Sequence, residues 1–566
     1  MWKQKEVNKD KEAKLLSGDV GPLLARLLSQ RNVEVDKFQD FLKADYNNLS
    51  HPHALNDVEK AVKIFCTYAK QDSKVGVCSD FDCDGITSAS MIYELCKIFD
   101  LDCKVFLPSR FEHGYGLNSK SIQSIKDRWF KPPDLLFVLD CGTNNFKEIE
   151  ELKQWGIKDI IIIDHHLVMS DELLSKNASA LVSWHLSKNY NEMCACGEVF
   201  QFIRGIRWVT KKVDPIEFLT YAAVGTIADS SPIIGDNRII VKHGLENYAM
   251  THIRPTGLRS LMGIGNIKSF HLTQMDVSFK IAPRINAVGR IDKPDLVFKL
   301  MTEYDVNISE ELADKVNCCN VERKKIQKSM ENQAVECVKN SKFENGILIK
   351  DKSWHIGIIG IVASRIAEDF NKPTLILGTY EGKWRGSGRT VNGINIKNIL
   401  DKCSFMFERY GGHAGAVGCV LKEEYIDTCA KIFDDTCKEF ITAGKSDTYY
   451  DATLKIQAVK KENATELNEK LYPYCKDHNP EPIFKLSGVY VYGVEIKEGE
   501  GWKLMSFSVA NKDDSVKYAF KCFSPKFGTE IEGEKFNVYF TFPQKWDDSD
   551  RFGQFELMVT DMERCE

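Results

Sequence analysis

Val75-Gly76-Val77-Cys78-Ser79-Asp80-Phe81-Asp82-Cys83-Asp84-Gly85 is the stretch that decides the fold. A short, uniformly apolar, β-prone run stops at a cluster of carboxylates. Three more segments repeat the pattern. Leu135-Leu136-Phe137-Val138-Leu139 runs into Asp140-Cys141-Gly142, and Ile160-Ile161-Ile162-Ile163 runs into Asp164-His165-His166. Tyr221-Ala222-Ala223-Val224-Gly225-Thr226-Ile227-Ala228 runs into Asp229. Short apolar runs without alternation read as parallel strands buried on both faces. Ligands of open α/β sheets bind beyond the carboxyl ends of such strands, so the four clusters are expected to converge. Carboxylates and a histidine held together repel one another unless divalent cations lie between them. The reading is a doubly wound α/β sheet carrying a binuclear metal centre.

The 566 residues suit three or four domains by the usual size range. No apolar run reaches the roughly 18 residues of a membrane span. The N-terminal Met1-Trp2-Lys3-Gln4-Lys5-Glu6 lacks a signal-peptide core. None of the 18 cysteines forms Cys-x-x-Cys, so reduced core thiols in a cytoplasmic protein are expected. The net charge of −5 argues against a broadly basic exterior. Residues 451–566 carry 16 Lys and Arg against 21 Asp and Glu, so the first 450 residues are balanced. A phosphodiester substrate would enter through a local basic channel.

Residues 1–50 read as a polar leader with short helices, and residues 51–304 alternate strands and helices. Residues 305–341 lack glycine and proline and read as a long connecting helix. A second α/β unit spans 342–445. From 450 to 566, aromatic and β-branched alternation predicts a small antiparallel barrel of OB type.

Asp80, Asp82, Asp84 and Gly85 also resemble the start of an EF-hand loop, but Met91 stands where the twelfth position needs glutamate. Asp-Phe-Asp-x-Asp-Gly, Asp-x-Gly, Asp-His-His and Gly-Thr-Ile-Ala-Asp, in this order, resemble the DHH phosphoesterase superfamily. Pro108-Ser109-Arg110, Gly114-Tyr115-Gly116-Leu117, Pro283-Arg284-Ile285-Asn286-Ala287-Val288-Gly289-Arg290, Gly386-Ser387-Gly388-Arg389 and Gly411-Gly412-His413-Ala414-Gly415-Ala416 narrow the resemblance to the RecJ family of single-strand-specific 5′→3′ exonucleases.

The resemblance implies a DHH catalytic domain at 51–304 and a DHHA1-like clamp at 342–445. It implies two divalent cations, Mn²⁺ or Mg²⁺, on Asp82, Asp84, Asp140, His165 and Asp229, with Asp140 bridging. Asp80 and Asp164 are expected to orient ligands or water, and His166 to meet the scissile phosphate. Arg110 and Arg290 are expected to hold the 5′ end, with Tyr115, Arg284 and Asn286 nearby. Ser387, Arg389, Gly411, Gly412 and His413 would grip the strand downstream. The implied substrate is single-stranded DNA, the implied setting repair and recombination by a monomer. A single-strand-binding protein or helicase would dock on the C-terminal domain. Tyr472-Pro473-Tyr474-Cys475-Lys476-Asp477-His478-Asn479-Pro480 departs from the family's glycine-bearing motif there. Two rival readings are a phosphodiesterase of oligonucleotides or cyclic dinucleotides, and a catalytically dead replication scaffold. Every ligand position is filled, which speaks against the second.

Overall fold

The computed structural model describes the chain except positions 1, 19, 32, 111, 115, 169–177, 189, 248–254, 268–271, 441–447, 476–477, 500–501, 512–517, 524, 543–556 and 566. The chain opens with β1 (Trp2–Gln4) and helices α1 (Lys9–Leu16), α2 (Pro22–Ser29) and α3 (Phe38–Lys43). The first α/β unit follows with α4 (Val58–Tyr68), β2 (Lys74–Ser79), α5 (Cys83–Ile98), β3 (Asp102–Phe106) and α6 (Ser119–Trp129). It continues with β4 (Leu135–Leu139), α7 (Phe146–Gln154), β5 (Asp159–Ile163) and β6 (Ala180–Val182). The strands make one parallel sheet in the order β3-β2-β4-β5-β6. Strands β4 and β5 are almost wholly buried, as unbroken apolar runs between two helical layers should be.

The fourth apolar run is a correction. Tyr221 to Ala228 lies in a helix, α9 (Leu219–Asp229), which follows α8 (Ala195–Thr210) and precedes α10 (Gly235–Asn247). A run buried on every side carries no period that separates strand from helix. Its small residues decide the packing: a Cβ on Gly225 would meet Cys196 Sγ at 2.3 Å and Thr87 Oγ1 at 2.6 Å. The helix thus lies tight against α5 and α8, and Asp229 reaches the site from a helix end.

The segment around Arg284 and Asn286 is also helical, α11 (Ala282–Ile291), rather than a loop. The connecting helix is α12 (Val306–Lys339), 34 residues and roughly 50 Å long. Beyond it, β7 (Ile347–Lys350), α13 (Ile359–Phe370), β8 (Thr374–Tyr380), β9 (Lys383–Arg389), β10 (Phe407–His413) and β11 (Ala416–Leu421) form the second α/β unit. Its sheet order is β10-β11-β9-β8-β7, and only β7–β8 is parallel. The glycine-rich segments around Ser387 and Gly411 are therefore mostly strand.

The C-terminal unit holds β12 (Thr448–Tyr450), β13 (Ala452–Leu454) and α14 (Lys461–Leu471). Strands β14 (Phe484–Gly499), β15 (Trp502–Ala510), β16 (Tyr518–Phe523), β17 (Lys535–Thr541) and β18 (Leu557–Arg564) follow. The order β14-β15-β16-β18-β17 closes through β17–β14 into a five-stranded OB-like barrel, and β16–β18 is its one parallel seam. The leader is not separate: Leu24, Leu27 and Leu28 share one core with Leu467, Phe484 and Phe540, and β1 pairs with β12. Short helices with one apolar stripe need a partner, and the barrel supplies it. Arg238 of α10 fastens this body to the first α/β unit. It donates to the main-chain oxygens of Phe41, Lys470, Leu471, Tyr472 and Pro473 at 2.8–3.1 Å. All 18 cysteines are free thiols. Among the described residues no helix is long and apolar enough to cross a membrane.

Candidate active site

Three adjacent strand ends build the centre. Past the ends of β2, β4 and β5, the Asp80, Asp140 and Asp164 amides donate to Leu139, Ile163 and Val182 oxygens at 3.0–3.3 Å. The ladder therefore fixes the three acidic residues side by side. Asp140 takes a left-handed backbone, φ 56°, a strained conformation held by the paired strands around it. Asp82 caps α5, its Oδ1 accepting from the Asp84 and Gly85 amides at 3.0 and 3.1 Å. Gly85 is required there, because a Cβ would lie 2.4 Å from the Asp80 oxygen. Asp84 accepts from the Ala195 and Cys196 amides at 2.9 and 2.8 Å, at the N-terminus of α8.

Candidate ligand atoms gather in overlapping groups, each within 4.8 Å: Asp80 with Asp82 and Asp140, Asp84 with His165 and Asp229, and Asp140 with His165 and His166. Nε2 of His165 is 3.2 Å from Oδ1 of Asp140, which joins the first two groups. Burial, then the neighbouring carboxylates, pushes Asp80 and Asp140 well above the usual carboxylate range, and raises Asp84 to about 6. Asp80 Oδ1 is buried without a hydrogen-bond partner. Crowded carboxylates with an orphaned oxygen fit hard divalent cations, which Asp80, Asp82, Asp84, Asp140, His165 and Asp229 would hold. In this geometry the Asp80 carboxylate lies beside those of Asp82 and Asp140.

His166 differs from its neighbour. Its Nδ1 lies 2.7 Å from Oδ1 of Asp164, whose other oxygen accepts from the Thr143 amide at 2.9 Å. Burial alone would lower His166, but Asp164 outweighs it and lifts the imidazole to about 9. Burial alone would raise Asp164, yet His166 and Thr143 hold it at about 2. The carboxylate anchors the imidazole, which lines the cavity.

Asp80, Asp82 and His166 open into a cavity of about 1090 Å³ between the two α/β units. Arg110, Arg290 and Arg389 line it, as do Ser387, Gly411, Gly412 and His413. Arg290 is pushed down to about 9 by burial and then by Arg110, Arg323 and Arg389. Burial also lowers Arg110 and Arg389. Among the described residues none of Arg110, Arg290 and Arg389 forms an ion pair within 4 Å. Converging guanidinium groups without carboxylate partners make a receptor for a phosphate.

Two expected contacts are elsewhere. Arg284 turns to the connecting helix, donating to Asn317 at 3.0 Å and to the Lys280 oxygen at 2.7 Å. Asn286 accepts from the Cys83 amide at 2.8 Å, so it steadies the acidic loop. Tyr115 lies outside the described residues.

Residues 74–226 match the DHH family, N-terminal domain, and residues 342–439 match the DHHA1 domain. The chain carries a DHH domain and a DHHA1 domain, one in each α/β unit. The single-stranded-DNA-specific exonuclease RecJ of Bacillus subtilis is 30% identical over 429 residues, 75% of this chain and 53% of that protein. RecJ of Haemophilus influenzae is 29% identical over 443 residues, 74% of this chain and 75% of that protein. The match thus spans about half the length of the first relative and three quarters of the second. The fold follows that of Thermus thermophilus RecJ in complex with Mn²⁺, with a TM-score of 0.82 and 22% identity, covering 100% of this chain and 80% of that one. An exonuclease RecJ bound to manganese aligns at a TM-score of 0.59 and 26% identity, over 68% of this chain and 96% of that one.

The site has supports that the sequence did not single out. Glu198 of α8 is fully buried and accepts from the Trp184 amide at 2.7 Å. The Trp184 ring stacks on His185 at 3.8 Å, and the His185 ring hydrogen-bonds to the main chain of His165. The chain Glu198–Trp184–His185 therefore holds the histidine loop from behind. A glutamate amid the apolar stretch Val199-Phe200-Gln201-Phe202 was the available signal.

Proposed function

We propose that the protein is a metal-dependent exonuclease that digests single-stranded DNA from the 5′ end to 5′-mononucleotides. The observation that carries this reading is the shared cavity: the acidic cluster and the arginine receptor open into one space, roofed by the second α/β unit. The RecJ relatives, named for single-stranded-DNA-specific exonuclease activity, support the substrate class. Mn²⁺ or Mg²⁺ bound to Asp80, Asp82, Asp84, Asp140, His165 and Asp229 would offset phosphate charge and acidify the attacking water. Arg110 and Arg290 receive the 5′-terminal phosphate bidentately, and Arg389 holds the strand beyond it. His166, kept protonated by Asp164, donates to an oxygen of the scissile phosphate and favours charge that builds there in the transition state. His413 and the strands beside it hold the following nucleotides, and the passage between the two units excludes a duplex.

The C-terminal barrel, with its excess of acidic groups, is a weak attractor for DNA and suits a protein partner such as single-strand-binding protein or a helicase. The protein works as a monomer in the cytoplasm, and the free thiols support the reducing compartment. The decisive test compares 5′-phosphorylated with 5′-hydroxyl single strands. Arg110→Ala should reduce the preference for the phosphate. An unchanged preference would move the receptor away from Arg110.

A further inference from the structure

The register of the second sheet places charged side chains in rows. One row runs His413–Ala416–Arg389 across β10, β11 and β9. Two residues along, the next runs Gly411–Gly418–Ser387, and two further the next runs Arg409–Val420–Arg385. Side chains alternate between faces of a strand, so these three rows share one face. The alternate residues Trp384, Val417 and Cys419 enter the hydrophobic core on the opposite face. The shared face is therefore the one that looks into the cavity, which Arg385 and Arg409 line.

The middle row is a trough. A Cβ on Gly411 would meet nothing within 4 Å, and one on Gly418 only the Gly386 oxygen at 4.0 Å. The far row is cationic. Arg409 is exposed and, among the described residues, makes no ion pair within 4 Å. Arg385 holds Glu381 at 3.3 Å through Nη2, while its Nε is buried without a hydrogen-bond partner. Four residues of strand separate Arg389 from Arg385, roughly 13 Å. That span exceeds one sugar-phosphate repeat, and the bare trough between leaves room for sugar and base.

We propose that Arg385 and Arg409 form a second phosphate-holding rung, gripping the single strand downstream of the nucleotides held by Arg389 and His413. The proposal rests on the exonuclease reading above and sets how far along the substrate the enzyme reads. A trinucleotide ends near the first rung, whereas a dodecamer crosses both.

The test uses the full chain with Mn²⁺ and 5′-phosphorylated oligothymidylates of three and twelve nucleotides. Arg385→Ala and Arg409→Ala should each raise KM for the dodecamer about tenfold, with a far smaller change for the trinucleotide. Each should also flatten the salt dependence of dodecamer binding, measured in EDTA, by about 0.7 in the log–log slope. Arg409→Lys should restore that slope. Gly418→Leu adds bulk where there is space, so it should fold and still raise KM for the dodecamer selectively. Equal KM changes at both lengths, or none at the dodecamer, would overturn the rung while leaving the exonuclease reading intact. Failure of the unmodified protein to cleave either length would overturn both.

Discussion

Asp140 and His165 meet at 3.2 Å from the ends of neighbouring strands, Oδ1 to Nε2. The contact joins the group of Asp80 and Asp82 to that of Asp84 and Asp229. Parallel pairing of Leu139 with Ile163 sets the two strand ends level, so the join is built into the sheet. Asp140→Asn keeps the shape and tolerates the left-handed backbone but removes the charge between the two groups. Cleavage should fall by more than about a hundredfold, beyond the usual cost of losing an outer support to a metal ligand. Steady-state kinetics and circular dichroism check this: a folded variant with near-normal turnover would show that Asp140 does not bridge.

His166 should behave differently from its neighbour. His166→Ala should retain Mn²⁺ in calorimetry while losing most activity, because its ring serves Asp164 and the cavity. The metal-free protein gives a pH signature. Asp164, held at about 2, adds stability above its unfolded value near 4 and loses it as pH falls through about 2. His166, lifted to about 9, adds stability in full below its unfolded value near 6.5 and loses it as pH rises through about 9. The pair is therefore worth most between about 4 and 6.5. In EDTA, the fall in melting temperature from pH 6.5 to 9 should be smaller for His166→Ala than for the unmodified chain.

Glu198 acts from a distance. Burial holds its carboxyl well above the usual range, so the neutral isostere should replace it. Glu198→Gln should stay within a few-fold of normal, whereas Glu198→Ala releases Trp184 and loosens the His165 loop, costing about 10- to 100-fold in activity or Mn²⁺ affinity. Metal titration of both variants checks this, and equal loss in the two would mean that the charge, not the hydrogen bond, matters.

The strand–carboxylate pattern made the catalytic sheet and its acidic residues legible, because chain order and apolar runs place Asp80, Asp140 and Asp164 at strand ends. The run before Asp229 misled, since a helix buried on all sides has no amphipathic period. Arg284 and Arg290 sit six residues apart in one motif, yet helical geometry turns Arg284 to the connecting helix and leaves Arg290 in the cavity. The leader read as polar because its apolar stripe is short. Only the structure shows that Leu24, Leu27 and Leu28 complete the barrel's core.

That shared core changes what truncation should do. Removing residues 451–566 alone strips the leader of its partner and Arg238 of four of its five main-chain acceptors. Such a protein should aggregate or melt well below the full chain, while removing residues 1–49 together with 451–566 should recover solubility. Light scattering and melting curves distinguish the outcomes. A well-behaved single truncation would show that the leader folds independently.

The central claim is end-dependent, metal-dependent hydrolysis of single strands. The most direct measurement incubates the protein with a linear single strand labelled at its 5′ end and with a closed circle of the same sequence, each with Mn²⁺ and with EDTA. The account predicts that Mn²⁺ releases labelled mononucleotide from the linear strand at once, that the circle survives, and that EDTA stops all cleavage. Cutting of the circle, or cleavage that persists in EDTA, would contradict it.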